Sequence, residues 1–301
     1  MQICKLSVFS LPLPTMEQTE TIVNPVYKDT LSEMERISFA RCCEVLGKYP
    51  VSLVTPAGMD ISAYREVAAH FPSVRLGQTV FDRSFFTSVQ AYNRLMLSKP
   101  FYEAFREFAY MLVYQLDAYV FRDELDFWCS KGYDYIGAPW FRKIWKFQLS
   151  TRLWAAGNGG FSLRKIDACL RILDYKGKFK PCSSWFRFHN SVLLKLKKLP
   201  FGALKSLPYG NTVDFYVAVN RQTEDMFWAM DTAESYAGFR IAPVEEAIRF
   251  AFECHPSFLY TLNGEQLPFG CHAWNRYEPD FWKRFIPKEQ PEQSNTNKTD
   301  V

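Results

Sequence analysis

Two glycine-bearing strings constrain this chain more than any other feature: Tyr133-Asp-Tyr-Ile-Gly-Ala-Pro-Trp140 and Gly157-Asn-Gly-Gly-Phe-Ser-Leu-Arg164. The first reads as a short aromatic strand running into a Gly-Pro break. The second reads as a glycine turn, a further short strand and the start of a helix. Glycines so placed let backbone N–H groups approach a ligand closely, which suits a phosphorylated or sugar-bearing compound. Asn158-Gly159-Gly160 is equally compatible with a plain tight turn. Around it, Tyr135, Trp140 and Arg164 offer a stacking face, a wall and a charge. Tyr133 and Tyr135 share one strand, and alternation gives one of them to the core.

Strand and helix patterns alternate on either side of these strings. Residues 20–26 read as a buried strand stopped by Pro25. Thr30-Leu-Ser-Glu33 reads as a capping box opening a helix with apolar positions Met34, Ile37, Ala40, Cys43 and Leu46, and Gly47 ends it. A second strand over Tyr49–Val54 turns at Pro56 and Gly58. A short helix (Ala63–His70) and a weak strand (Ser73–Gly77) follow. Ser84–Leu97 and Phe101–Phe108 read as helices separated at Lys99-Pro100. Then come an apolar strand over 109–116, ending before Asp117, and a helix over Asp123–Ser130. Such alternation predicts an α/β fold, a mainly parallel sheet flanked by helices, with ligands at the carboxyl ends of its strands.

The chain has 301 residues, enough for one large domain, and 48% hydrophobic residues can build a substantial core. No apolar run is long enough to span a membrane. Residues 1–19 read as an N-terminal extension without a cleavage signal, with Met16 an alternative start, and residues 288–301 as a disordered polar tail. The eight cysteines show no CxxC spacing and read as reduced thiols of a cytoplasmic protein. The Cys254-His255 and Cys271-His272 pairs likewise lack the ligand spacing of structural zinc. A net charge of +4 hides an asymmetry. Residues 141–153 carry four Lys/Arg and residues 175–213 carry eight, with no acid in either segment; the remainder holds 24 basic against 32 acidic residues. Two basic insertions, 141–154 and 175–213, are thus set in an acidic domain.

In their order, Asn24–Tyr27, Tyr114-Gln-Leu-Asp-Ala118, the two glycine strings, Thr223-Glu-Asp225 and Leu267–Trp274 resemble a bacterial family catalogued as a domain of unknown function, number 5672, allied to GT-A glycosyltransferases. The resemblance covers residues 20–287. It implies one GT-A-like, Rossmann-like domain that moves a sugar from a nucleotide-diphosphate donor to a hydroxyl acceptor during synthesis of a bacterial surface glycan. It places Pro25 and Tyr27 near the nucleotide, with Tyr135, Trp140, Asn158, Gly159, Gly160 and Arg164 around the donor. It makes Asp225 the catalytic base, with Glu224 as the alternative, and implies inverting stereochemistry.

The metal is a point of departure. GT-A enzymes end a strand in Asp-x-Asp, which holds a divalent cation on the donor diphosphate. Here the triplet is Asp117-Ala-Tyr119, and a phenol is a poor ligand for Mn2+ or Mg2+. Asp117 with His272 is the metal pair the resemblance leaves; basic side chains replacing the ion are the other reading. Thr223-Glu-Asp225 also has an ordinary reading as an acidic helix N-terminus, and His272 one as a packed ring.

The basic insertions interleave aromatic residues and leucines with lysines. That composition suits an anionic membrane surface, hence a peripheral location at the inner face, and a lipid-linked glycan acceptor. A solvated loop with a docked helical hairpin explains it as well. Nucleic acid is disfavoured because the rest of the chain is acidic. Two competing readings remain: an inactive glycan- or nucleotide-sugar-binding protein, for which Tyr119 speaks, and a membrane-surface scaffold.

Overall fold

In the computed structural model the described residues are 19–145, 148–177, 179, 212–219 and 223–287. Their first half alternates strand and helix: β1 (Glu20–Pro25), α1 (Glu33–Leu46), β2 (Pro50–Pro56), α2 (Ser62–Ala68) and β3 (Arg75–Phe81). A 3-10 turn (Arg83–Phe86), α3 (Val89–Met96), α4 (Lys99–Glu103), β4 (Tyr110–Tyr114), β5 (Tyr119–Val120) and α5 (Leu125–Ser130) follow. Next come β6 (Tyr135–Gly137), β7 (Pro139–Trp145), β8 (Gln148–Ala156), β9 (Phe161–Lys165) and α6 (Ile166–Leu173). Short helices dominate the remainder, with the two-residue strands β10 (Ala251–Phe252) and β11 (Gly270–Cys271).

Six strands form the central sheet in the order β3-β2-β1-β4-β9-β6. β3, β2, β1 and β4 are parallel, and β9 runs antiparallel to both β4 and β6. The fold is therefore α/β with a mainly parallel sheet. Strand order reverses between β1 and β4, and a crevice at the carboxyl ends of strands around such a switch point is where open α/β sheets bind ligands. Asn24 closes this end of the sheet, its Nδ2 donating to the Tyr114 carbonyl at 2.8 Å. Because β9 is antiparallel, its first residue, Phe161, pairs with Tyr114. The 157–160 turn is thereby delivered to the same edge as the ends of β1 and β4.

Side-chain alternation divides the core between the two faces of the sheet. Ile22, Leu53, Leu112 and Tyr114 pack with Phe39, Cys42 and Leu46 of α1 on one face. Val23, Val54, Met111 and Val113 pack with Phe101, Tyr102, Ile166 and Trp228 on the other. Each large apolar side chain buried this way stabilises the fold by about 1.5–3 kcal/mol. A third cluster, Phe141, Phe252, Leu259 and Trp282, lies under the small β10-β11-β5 sheet.

Local signals shifted several boundaries. The capping box is Ser32 with Glu35, not Thr30 with Glu33: Ser32 N–H donates to Glu35 Oε2 at 2.9 Å, and Ser32 Oγ accepts from Glu35 N. Both spacings satisfy the motif. The buried face of α1, Phe39, Cys42, Cys43 and Leu46, is the one that fits the sheet. The expected helix over 84–97 is interrupted because Ser88 caps α3, its Oγ accepting from Ala91 N at 3.1 Å. Lys99-Pro100 opens α4 rather than separating two helices, since Ser98 caps it and proline is tolerated in a first turn. The first basic insertion is a β-hairpin, β7 paired with β8, and not a helical hairpin. Its Trp140 and Trp154 rings sit 6.0 Å apart. Most of the second insertion, the extension before Thr19 and the tail after Pro287 lie outside the described residues.

Candidate active site

The turn Gly157–Gly160 enters the switch-point edge with its backbone pinned from below. Tyr135 is fully buried and its hydroxyl faces the carbonyls of Gly157 (2.9 Å) and Asn158 (3.1 Å). Asn158 Oδ1 accepts from Gly160 N at 2.9 Å. The glycines leave room for the protein's own side chains. A Cβ on Gly160 would lie 2.0 Å from His272 Nε2, and one on Gly159 would lie 2.3 Å from Glu224 Oε1. On Gly157 it would meet the Trp140 ring at 2.5 Å. The turn thus stands between two charged clusters, one against each central glycine.

On the Gly160 side lies His272, its ring between two carboxylates. Nδ1–H donates to Glu253 Oε1 at 3.1 Å, and Nε2–H donates to Asp117 Oδ1 at 3.1 Å with Gln115 Oε1 at 3.2 Å. Burial opposes a charged ring, yet the bonds to Asp117 and Glu253 outweigh it and push the His272 pKa up to about 10. A carboxylate at each ring nitrogen favours the protonated ring. Burial by itself would raise Asp117, but its bond to His272 and the ring's charge hold it below the ordinary aspartate value. Asn158 Nδ2 donates to Glu253 Oε1 at 2.9 Å, tying this cluster to the turn. Gln115 ties it to the sheet and to α3: its N–H donates to Gly160 O at 2.8 Å and its Nε2 to Tyr92 Oη at 3.1 Å.

On the Gly159 side, Arg164 is wholly buried and paired with Glu224, Nη2 to Oε1 at 2.8 Å. Arg164 also donates to Ser162 Oγ and Tyr102 Oη, each at 3.1 Å. Glu224 N–H donates to Asn93 Oδ1 at 3.2 Å. Asp225, half-buried beside them, accepts from Met226 N at 2.7 Å and from the Thr223 hydroxyl. Burial, then the charges of Glu224 and Glu253, push its pKa up to about 7. That value suits a carboxylate taking a proton near neutral pH.

The sequence-predicted residues thus divide by exposure. Tyr27 is 64% exposed at the end of β1, with Pro25 half-buried before it, and the Asp117 side chain is 42% exposed. Trp140 is half-buried against Gly157. Tyr135 and Arg164 have no surface to offer a ligand; they hold the turn and Glu224 in place. Asn158 does the same for Glu253. Tyr119, where a second metal acid was expected, is buried against Phe121, ring centroids 5.4 Å apart, under the Arg41 guanidinium.

These groups do not fit a divalent ion as arranged. A histidine ligand needs a free lone pair, and each His272 nitrogen already faces a carboxylate oxygen at 3.1 Å. Asp117 and Glu253 also lie at different ring nitrogens and cannot converge on one ion. Among the described residues no group of three or more His, Cys, Asp or Glu is placed to hold a metal. Glu253, Gln115 and Tyr92 were not picked out by sequence reasoning. An acid directly after the apolar pair Ala251–Phe252 was the available signal for Glu253, the same one that marked Asp117.

Residues 75–272, 198 of the 301, match the model of the family described as "Protein of unknown function (DUF5672)", and the chain belongs to that family. A comparison with curated proteins finds no match. Among solved structures it is similar to the apo glycosyltransferase GlyE of Streptococcus pneumoniae, at 10% identity and a TM-score of 0.45 over 90% of this chain. The chain spans 61% of GlyE's length. Mouse xyloside xylosyltransferase 1 is similar at 9% identity and a TM-score of 0.47, over 84% of this chain and 97% of that one. The galactosyltransferase LgtC, solved with donor and acceptor sugar analogues, is similar at 12% identity and a TM-score of 0.47, over 90% and 98%. Likenesses this weak concern the path of the chain and say nothing of the site's chemistry. Among the described residues no helix is long and apolar enough to cross a membrane.

Proposed function

We propose that the chain is a glycosyltransferase moving a sugar from a nucleotide-diphosphate donor to a hydroxyl acceptor. The observation that carries this reading is the pair of acid clusters held on opposite sides of one glycine turn at the switch point of the sheet. Tyr27 supplies an exposed ring for the nucleotide base, with Pro25 beside it and Trp140 as a wall. Asp117 turns its outer oxygen to the hydroxyls of the donor, steadied by His272, which Glu253 orients in turn. Asp225 takes the proton of the attacking acceptor hydroxyl. The acceptor oxygen bonds to the anomeric carbon as the bond from that carbon to the diphosphate breaks, and the nucleoside diphosphate leaves with the electron pair. One displacement of this kind inverts the anomeric centre. Arg164 holds Glu224 in place at 2.8 Å, so Glu224 positions Asp225 and raises its basicity rather than acting as the base itself.

No step is routed through Mn2+ or Mg2+, because Asp117 and Glu253 face different nitrogens of the His272 ring and do not converge on one ion. The test is release of nucleoside diphosphate from a panel of nucleotide sugars, in wild type and Asp225→Asn. Loss of turnover with donor binding intact supports the reading; a wild type that binds donors and never turns over favours the inactive nucleotide-sugar-binding protein. Burial of Tyr119 in place of a second acid is the observation behind that second reading. The family resemblance supports a role in bacterial surface-glycan synthesis, and the composition of the basic insertions supports a lipid-linked acceptor and a peripheral site on the inner face of the membrane; flotation with anionic liposomes tests that membrane site.

A further inference from the structure

A cleft of about 440 Å³ opens beside the acid pair, lined by Val89, Gln90 and Asn93 of α3 and by Thr223. That volume lies within the range of small-molecule sites. Its lining is bonded directly to the proposed base. The Thr223 hydroxyl donates to Asp225 Oδ1, and Asn93 Oδ1 accepts from Glu224 N. We propose that this cleft is the acceptor subsite and that it takes a neutral polyhydroxyl ligand, a sugar without a phosphate of its own. This rests on the transferase reading above.

Three features of the lining point to that class. Gln90 and Asn93 are three residues apart on one helix and share a face, so two amides address the same ligand. An amide both donates and accepts, which matches a hydroxyl, itself donor and acceptor. Val89, 74% exposed, offers an apolar surface to the C–H face of a sugar ring. None of the lining residues is charged. A phosphate would call for Arg, Lys or a similar donor of positive charge, whereas the residues bonded to this lining are the acids Glu224 and Asp225, which repel it.

Saturation-transfer NMR on the full chain tests this, with methyl glycosides of glucose, galactose and N-acetylglucosamine, and with glucose 6-phosphate, each with and without UDP or GDP. At least one neutral glycoside is expected to bind, at least fivefold more weakly to Gln90→Leu, and glucose 6-phosphate no better than the neutral sugars. Gln90→Leu removes an amide at the surface, and an unchanged Tm of the unliganded variant certifies its fold. Binding of no neutral glycoside, preference for the phosphorylated sugar, or indifference to Gln90→Leu each overturns the proposal. The two readings fail separately. Nucleotide binding without sugar binding sinks the subsite alone. Gln90-dependent sugar binding with no response to any nucleotide sinks the transferase reading and leaves a neutral-sugar site.

Discussion

Gly160 has room for a hydrogen and little else, because His272 Nε2 occupies the place a methyl group would take. Gly160→Ala is therefore expected to displace the ring and lower kcat/KM for diphosphate release at least tenfold. Gly264 makes the control: its φ of +66 strains an alanine, by about 1 kcal/mol, but open space surrounds it, so Gly264→Ala should lower Tm and leave activity alone. Equal losses in both would show that His272 placement is not what matters. Asp225 gives a pH prediction. Its folded pKa of about 7 stands above the ordinary aspartate value, so its contribution to stability is fully present below that ordinary value and is lost as pH rises through about 7. Asparagine mimics the protonated form. Between pH 5 and 8.5, Asp225→Asn should lose less stability than wild type, by about 2 kcal/mol after allowing for its contact with water, as followed by urea denaturation. Activity runs the other way: the wild-type rate should rise through pH 7 as the base deprotonates, and Asp225→Asn should cut it by about 10²–10⁴-fold.

At the scale of elements, β9 does the decisive work. It is the one antiparallel strand of the central sheet, and that reversal brings the glycine turn to the ligand-binding edge. Phe161, its first residue, is fully buried among Tyr114, Phe250 and Phe269, with ring centroids 5.3–5.7 Å away. Phe161→Ala should cost about 3–5 kcal/mol of stability by denaturant titration. Activity should fall with it where the turn depends on that anchor. Element boundaries followed caps that the sequence carried in plain view, Ser32, Ser88 and Ser98. At the first, Thr30 and Ser32 both begin an S/T-x-x-E motif, and only packing against the sheet chooses between them. The hairpin of β7 and β8 was missed for another reason: basic and aromatic residues mixed without a clear period do not announce a strand.

For the whole molecule, the arrangement around His272 predicts the response to metal removal. With the ring held as a cation between Glu253 and Asp117, EDTA should leave nucleotide binding and turnover within about twofold of untreated protein. A tenfold loss would mean that the ring gives up a proton and turns to ligate an ion. Removing the ring tests its structural share: His272→Ala leaves two carboxylates without their shared partner, and about 3 kcal/mol of stability should go with it.

Local chemistry in the sequence determined much of this protein. Alternating apolar strands and amphipathic helices specified an α/β fold, the end of an apolar strand marked Asp117, and two glycine strings marked the turn. These signals are short-range, and a period of two or of 3.6 residues is enough to carry them. Only the tertiary structure decided what those residues do. Arg164 and Tyr135 were expected to face a ligand but are enclosed: Arg164 sits on β9, between β4 and β6, and Tyr135 on β6 is covered by the core around Ile166 and Trp228, with its hydroxyl on the turn carbonyls. Glu253 and Gln115 meet at His272 although 138 residues separate them in the chain. Whether an imidazole ligates a metal or carries a charge depends on which groups face each ring nitrogen. Contacts between distant segments settle that, and no spacing along the sequence encodes it.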